Sequence, residues 1–300
     1  MTKQLKADLA LLMVTIIWGS SFVLSKNALA YLPTYNFLAV RFILAALISA
    51  IIFYKNIISM DKDTLRYGLL IGVILFAGYA FQTVGLNYTT ASKSGFITGF
   101  SVVIVPIFSA LLLKQKPHRA ALIGVAFAIV GLGLLTLNST LTLTKGDFYT
   151  LICAFLFALH IITVGKYTVK VDSIAMAIIQ IAVVGFLSLI FSFAIETPIF
   201  PTGKTVWFNL LILAIFATSG AFIIQNAMQK FTSPTHTALI YTGEPVFSAM
   251  FAYILLKEVL PPQGIVGSVL ILLGMIVSEV DWKAVFSKSE QKSIYNPNKQ

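Results

Sequence analysis

Charged residues are scarce in this chain. Asp, Glu, Lys and Arg make up 11% of the 300 residues, against roughly 25% in a soluble domain. A water-facing surface needs that charge, so most of the surface faces another medium. The 58% hydrophobic content and a mean hydropathy of +0.92 point to lipid. Cysteine is scarcer still: Cys153 is the single one, which excludes a disulfide framework and a thiolate metal cluster and leaves a small packed hydrophobe as its reading. The 3 histidines stand far apart in sequence. No HExxH or GxSxG pattern occurs, so metallohydrolase and serine-hydrolase chemistry lack their parts. Only one acid, Glu244, lies deep inside an apolar run, where an intramembrane aspartyl protease needs two. Neither metal nor cofactor is expected, and the chain is expected not to be an enzyme.

Lys and Arg number 21 against 11 Asp and Glu, but they punctuate the apolar runs instead of clustering on one face. That is topogenic charge, not a nucleic-acid footprint. Runs that meet the ~20 residues a bilayer core requires lie at 9–29, 36–54, 67–86, 94–114 and 119–137, then at 147–165, 174–195, 205–227, 235–256 and 263–280. The first follows Lys3 and Lys6 as a signal peptide would. No Ala-x-Ala pattern follows it, and Trp18-Gly19-Ser20-Ser21 continues it, so it reads as a retained span. Connections are short and leave no room for a soluble domain. The polar stretch 283–300 is expected to be a disordered cytoplasmic tail. With ten spans, fifteen basic residues fall on the N-terminal side of the membrane and five on the other, with Arg41 inside the second span. The positive-inside rule then puts both termini in the cytoplasm.

Sliding the chain against itself by 143 residues brings Gln82 onto Gln225, Thr89 onto Thr232, Leu112-Leu113-Lys114 onto Leu255-Leu256-Lys257, Gly124 onto Gly267 and Gly131 onto Gly274. The first and sixth spans pair at a slightly different offset, with Asp8 against Asp147. Each unit has five helices, an odd number, so two such units are expected to sit upside down relative to each other. The loop charges agree: Lys114-Gln115-Lys116-Pro117-His118-Arg119 is basic, and its counterpart Lys257-Glu258 is neutral.

Several motifs recur in order along the chain: Trp18-Gly19-Ser20-Ser21-Phe22 in the first span, Arg41 in the second, Tyr88-Thr89-Thr90-Ala91-Ser92 ahead of the fourth, Gly95-Phe96-Ile97-Thr98-Gly99-Phe100 within it, and Gly243-Glu244-Pro245-Val246-Phe247 in the ninth. In order and spacing, over nearly the whole chain, these resemble the EamA-type branch of the drug/metabolite transporter superfamily. The resemblance implies an all-α membrane protein, with ten transmembrane helices as two inverted five-helix repeats (1–140 and 141–282) around a central cavity. It also implies transport of amino acids, drugs or related metabolites across a bacterial cytoplasmic (inner) membrane. Gln115 departs from the pattern, since the family usually shows an acid there, as Glu258 does in the second unit.

Glu244 is the sharpest candidate for function. An ionised carboxylate near the bilayer centre costs on the order of 2.5–3.5 kcal/mol, which favours a cavity-facing position and a proton-carrying role. A carboxylate satisfied by Thr242 or by backbone beside Pro245 is the plainer alternative. Gln82 and Gln225, with Tyr79 about one turn before Gln82, are expected to line a central site from both units, interhelical glue being the alternative. Trp18, Ser21, Phe96, His160 and Tyr241 complete the candidate substrate-binding set, His160 standing opposite Ser21 in the repeat. Pro106 and Pro245, aligned one turn apart, are expected to interrupt the fourth and ninth helices, either as the matched broken helices of a transporter's site or as plain kinks with no binding role. Arg41 is expected toward the outer end of its span, snorkelling or paired. Lys93 and His236 are aligned residues at the mouths of the fourth and ninth helices. Gly68/Gly72 and Gly95/Gly99 read as close helix packing.

The function expected is secondary transport of small metabolites by alternating access, in the direction of export; if exchange is proton-coupled, Glu244 is the expected carrier. A passive facilitator or channel of the same fold is the alternative, although no filter signature or charged ring is present. The partners expected are a small-molecule substrate and the bilayer, with the protein a monomer or homodimer.

Overall fold

The structure is a computed structural model that describes residues 3–112, 119–136 and 143–279. Among these residues every regular element is a helix. In chain order they are α1 (Lys3–Leu29), α2 (Thr34–Ile52), the short α3 (Tyr54–Ile58), α4 (Lys62–Leu86), α5 (Ala91–Gly99), α6 (Ser101–Leu112), α7 (Arg119–Thr136), α8 (Lys145–Tyr167), α9 (Ser173–Ile195), α10 (Lys204–Ile212), a π-helical segment (Leu213–Gly220), α11 (Ala221–Gln229), α12 (Pro234–Tyr241), α13 (Gly243–Leu256) and α14 (Pro262–Glu279). Eight helical runs are long and apolar enough to cross a bilayer, and Ile123–Leu135 and Pro262–Val277 are shorter apolar stretches. Large apolar side chains such as Ile51, Phe193 and Leu111 lie exposed on the outside, as a lipid-facing surface requires. The expected tail 283–300 and the loop 114–118 with Gln115 lie outside the described residues.

Helix starts are written in the sequence. Thr90, Thr144 and Ser233 accept hydrogen bonds from the amides of Lys93, Asp147 and His236, opening α5, α8 and α12. Asp61 and Asp172 do the same for α4 and α9. Each cap satisfies amide donors left free at a helix N-terminus. Hydrogen bonds from the Thr64 hydroxyl and amide hold the exposed Asp61 carboxyl below its ordinary range.

The fourth and ninth runs are each two helices, but the breaks are not at the prolines. They fall at Phe100 and Thr242, whose amides reach back three residues, to the carbonyls of Ile97 (3.1 Å) and Leu239 (3.2 Å), tightening the turn. Pro106 lies inside α6, and Pro245 sits in the first turn of α13, where a missing N–H costs no intrahelical bond. Pro245 has no N–H to offer the carbonyl of Tyr241, the residue just before the turn at Thr242. Pro106 frees the carbonyl of Val102, beyond the break at Phe100, so it does not explain that one.

A second departure from simple helical runs is the π-helical segment. The Thr218 hydroxyl donates to the carbonyl of Leu213, five residues back, at 2.8 Å. Neighbouring groups turn outward to partners on other helices: the Trp18 indole donates to the Ala217 carbonyl (3.0 Å), Arg41 Nε donates to Thr218 Oγ1 (2.8 Å), and the Ser49 and Ser219 hydroxyls meet at 2.6 Å. Arg41 is thus 2% exposed, packed between α2 and this segment with its guanidinium 5.2 Å from the Phe42 and Tyr79 rings. Of the two expectations, snorkelling and pairing, the structure has the partnered one, with Nε on Thr218 and the side chain buried.

α7 packs along α14 at backbone contact. A Cβ on Gly131 would come within 2.6 Å of the Gly267 carbonyl and one on Gly267 within 2.6 Å of the Gly131 carbonyl, while one on Gly274 would meet the Gly124 carbonyl at 2.5 Å. Only glycine permits this approach. α2 lies on α9, and α4 on α8 and α9. α1 runs past α5, α11, α12, α13 and the π segment. Near its start Asp8 meets His236 at the head of α12, and near its end Lys26 meets the residues just ahead of α5. The two broken runs therefore begin at opposite ends of α1.

Candidate functional site

Between these helices lies a cavity lined by residues of both halves of the chain. Eight of the nine binding residues expected from sequence line it: Trp18, Ser21, Tyr79, Gln82, His160, Gln225, Tyr241 and Glu244. Phe96 does not. It is 3% exposed and packs in the apolar cluster with Phe100, Val103 and Ala158, because α5 turns the Thr98 and Gly99 side of the helix to the cavity. Phe22, Phe157 and Phe222 also line the cavity; in helices apolar on every face, nothing in the sequence separates them from core.

Most lining residues come in pairs at the sequence offsets already noted. At 143 residues stand Tyr79 and Phe222, Gln82 and Gln225, Thr98 and Tyr241, and Ser101 and Glu244. At the offset of the first and sixth spans, 139 residues, stand Trp18 and Phe157, Ser21 and His160, and Phe22 and Ile161.

The aromatic walls touch one another. Trp18 lies 5.4 Å from Phe222 and 5.2 Å from Tyr241, and Tyr79 lies 5.4 Å from Phe157, centroid to centroid. Such a lining suits an apolar body or a cation over ring faces. The polar groups are few. Gln82 Nε2 donates to Thr98 Oγ1 at 3.2 Å, and Ser21 Oγ donates to the Trp18 carbonyl at 2.7 Å. His160 Nε2 lies 2.7 Å from Gln180 Oε1. Among the described residues no hydrogen bond or ion pair reaches the Glu244 carboxylate, and Gln225 Oε1 and the Tyr241 hydroxyl are buried without a partner. No lysine or arginine lines the cavity; Arg41 stands behind Tyr79 with Nη2 unpartnered among the described residues. No group of three or more metal-ligating side chains occurs among the described residues.

The two aligned mouth residues each meet an aspartate on the other half of the chain. Lys93 Nζ lies 3.0 Å from Asp147 Oδ2, and His236 Nε2 lies 3.1 Å from Asp8 Oδ1. Asp8 and Asp147 are themselves aligned, so one arrangement is made twice, once at each end. The sequence named the aligned positions but not these partners.

Comparison with known proteins places this geometry. A 38% identical relative from Archaeoglobus fulgidus, named an uncharacterized transporter, aligns over 92% of this chain and 86% of its own length. A relative from Salmonella typhimurium, named a probable amino-acid metabolite efflux pump, is 26% identical over 89% of this chain and 92% of its own. A crystal structure only 16% identical superimposes with a TM-score of 0.71, covering 94% of this chain and 99% of that one, which establishes a shared fold. The profile of the EamA-like transporter family matches residues 5–137 and again 144–279. The chain belongs to the EamA-like transporter family and is a multi-pass membrane transporter.

Proposed function

We propose that the chain is a secondary transporter of ten spans, arranged as two inverted five-helix repeats (1–140 and 141–282). It moves small metabolites of the amino-acid type out of the cell by alternating access. Its membrane is the bacterial cytoplasmic membrane, with both termini inside, and the working unit is a monomer or homodimer. The cavity is the substrate site, Glu244 is the proton carrier, and the turns at Phe100 and Thr242 are the points about which the broken helices pivot.

The observation that carries this reading is the paired lining: one cavity, walled by equivalent residues of two halves whose broken helices enter from opposite ends. Two such halves can exchange conformations and so present the same site first to one side and then to the other. Support for export comes from the relative named an efflux pump, and support for orientation from the fifteen-to-five split of basic residues. A deep carboxylate without a protein partner supports proton exchange, since either a proton or a cationic substrate neutralises it.

The test is flux of labelled amino acids in proteoliposomes with and without an imposed pH gradient. Gradient-driven movement against concentration, lost in Glu244→Gln, is the expected result. Equal rates with and without the gradient would instead assign a passive facilitator.

A further inference from the structure

Hydrogen-bond polarity in the cavity assigns a ligand chemistry. We infer that the cavity selects its ligand by a primary ammonium group, donated to Glu244, His160 Nδ1 and Gln225 Oε1; this rests on the cavity being the transport site. Two side-chain relays run away from the cavity, and each ends on a backbone carbonyl, which can only accept. In the first, Asn226 Nδ2 donates to the Phe222 carbonyl at 2.8 Å. That orients the amide, so Asn226 Oδ1 accepts from Gln180 Nε2 at 3.1 Å, and Gln180 Oε1 faces His160 Nε2 at 2.7 Å. The ring proton of neutral His160 is therefore on Nε2, and Nδ1 is left as a bare acceptor. In the second, Gln229 Nε2 donates to the Ile161 carbonyl at 2.8 Å, so Gln229 Oε1 faces Gln225 Nε2 at 3.5 Å. Gln225 Oε1 is left over, in a residue 1% exposed.

The relays thus use up donors and present acceptors. Three other donors on the wall already have acceptors: the Trp18 indole in the Ala217 carbonyl, the Ser21 hydroxyl in the Trp18 carbonyl, and one N–H of Gln82 in Thr98. Among the lining residues this leaves a carboxylate, an imidazole lone pair and a buried amide oxygen without a donor, with the Tyr79, Thr98, Ser101 and Tyr241 hydroxyls able to act either way. A buried acceptor left without a donor is costly, so the complement is a group rich in N–H and positively charged. A primary ammonium brings three donors and one charge, and the aromatic faces of Trp18, Tyr79 and Phe222 receive its apolar body. A quaternary ammonium would satisfy the charge and the rings alone.

The experiment separates donors from charge on the full-length protein in detergent at pH 7. Binding of phenethylamine, n-butylamine, N,N,N-trimethylphenethylammonium and N-acetylphenethylamine is measured by calorimetry and by the shift in Tm, since a binder stabilises the folded state. A primary amine is expected to bind at least about tenfold more tightly than the quaternary ion, the size of one to two charge-assisted hydrogen bonds. The acetylated compound is expected not to bind. Gln225→Met is expected to weaken the primary amines about tenfold while leaving the quaternary ion's affinity in place, which also reports that the variant is folded. Gln229→Leu, which frees the second relay to turn round, is expected to do the same more weakly. Equal affinity for the primary and quaternary ions, or binding of the acetylated compound, would overturn the inference. Binding by none of the four would overturn it too, while the gradient-driven flux assay decides separately whether the cavity serves transport.

Discussion

The two walls of the cavity match in position and differ in chemistry. Ser21 stands where the other half has His160, Thr98 where it has Tyr241, and Ser101 where it has Glu244. Every titratable member of these three pairs is on the second wall. Pairing preserves a shape that both halves can line, while a ligand with one charged end needs the site to be one-sided. The two ends of the molecule differ in the same manner. At one end Lys93 meets Asp147, whose side chain is fully buried, and Thr89 Oγ1 also donates to that carboxylate at 2.9 Å. Glu258 accepts there from the amides of Ala91 and Ser92 at 3.1 and 3.0 Å, and Lys26 Nζ donates to the carbonyls of Leu86 and Thr89. At the other end His236 meets Asp8, with side chains 42% and 27% exposed, a contact that is ionic only while the ring carries its second proton. The place equivalent to Lys26 is Gly165, where a Cβ would meet Pro234 Cγ at 2.6 Å, so helix contact replaces the lysine tie. The Lys93–Asp147 pair is buried among several charged contacts, whereas the His236–Asp8 pair is half-exposed.

The largest effect should come from breaking the stronger end. Lys93→Met leaves Asp147 buried without its cation and is expected to cost about 3 kcal/mol, read as a fall of several degrees in Tm of the detergent-solubilised protein. Breaking the asymmetry of the walls comes next. Glu244→Gln is expected to lower affinity for a primary amine by about 100-fold, whereas Ser101→Ala on the opposite wall should cost only about threefold, as neutral and charged hydrogen bonds differ; calorimetric titration of both variants measures the ratio. Glu258→Gln removes the charge that caps α5 and is expected to cost about 1 kcal/mol, again seen in Tm. The smallest effect belongs to the exposed pair. His236→Ala is expected to cost about 0.5 kcal/mol or less, so a loss as large as that of Lys93→Met would remove the distinction between the two ends.

The sequence by itself determined the helical runs, because the ~20-residue apolar length and the Ser, Thr and Asp caps act locally. It also determined that Gln82, Gln225 and Glu244 face something other than lipid, since a polar group in hydrocarbon needs a partner, and it paired the halves through a fixed offset. The tertiary structure decided what depends on rotation about a helix axis. In a helix apolar on all sides no periodicity marks the cavity face, so Phe96 and Phe222 were indistinguishable until α5 and α11 packed. Only packing joined residues 54 and 228 apart into the ion pairs Lys93–Asp147 and Asp8–His236, and only packing buried Arg41 against the π-helical segment. The break at Phe100 likewise has no proline to mark it in the sequence. The direction of the two relays depends on which backbone carbonyl each amide reaches, a long-range contact with no local signature.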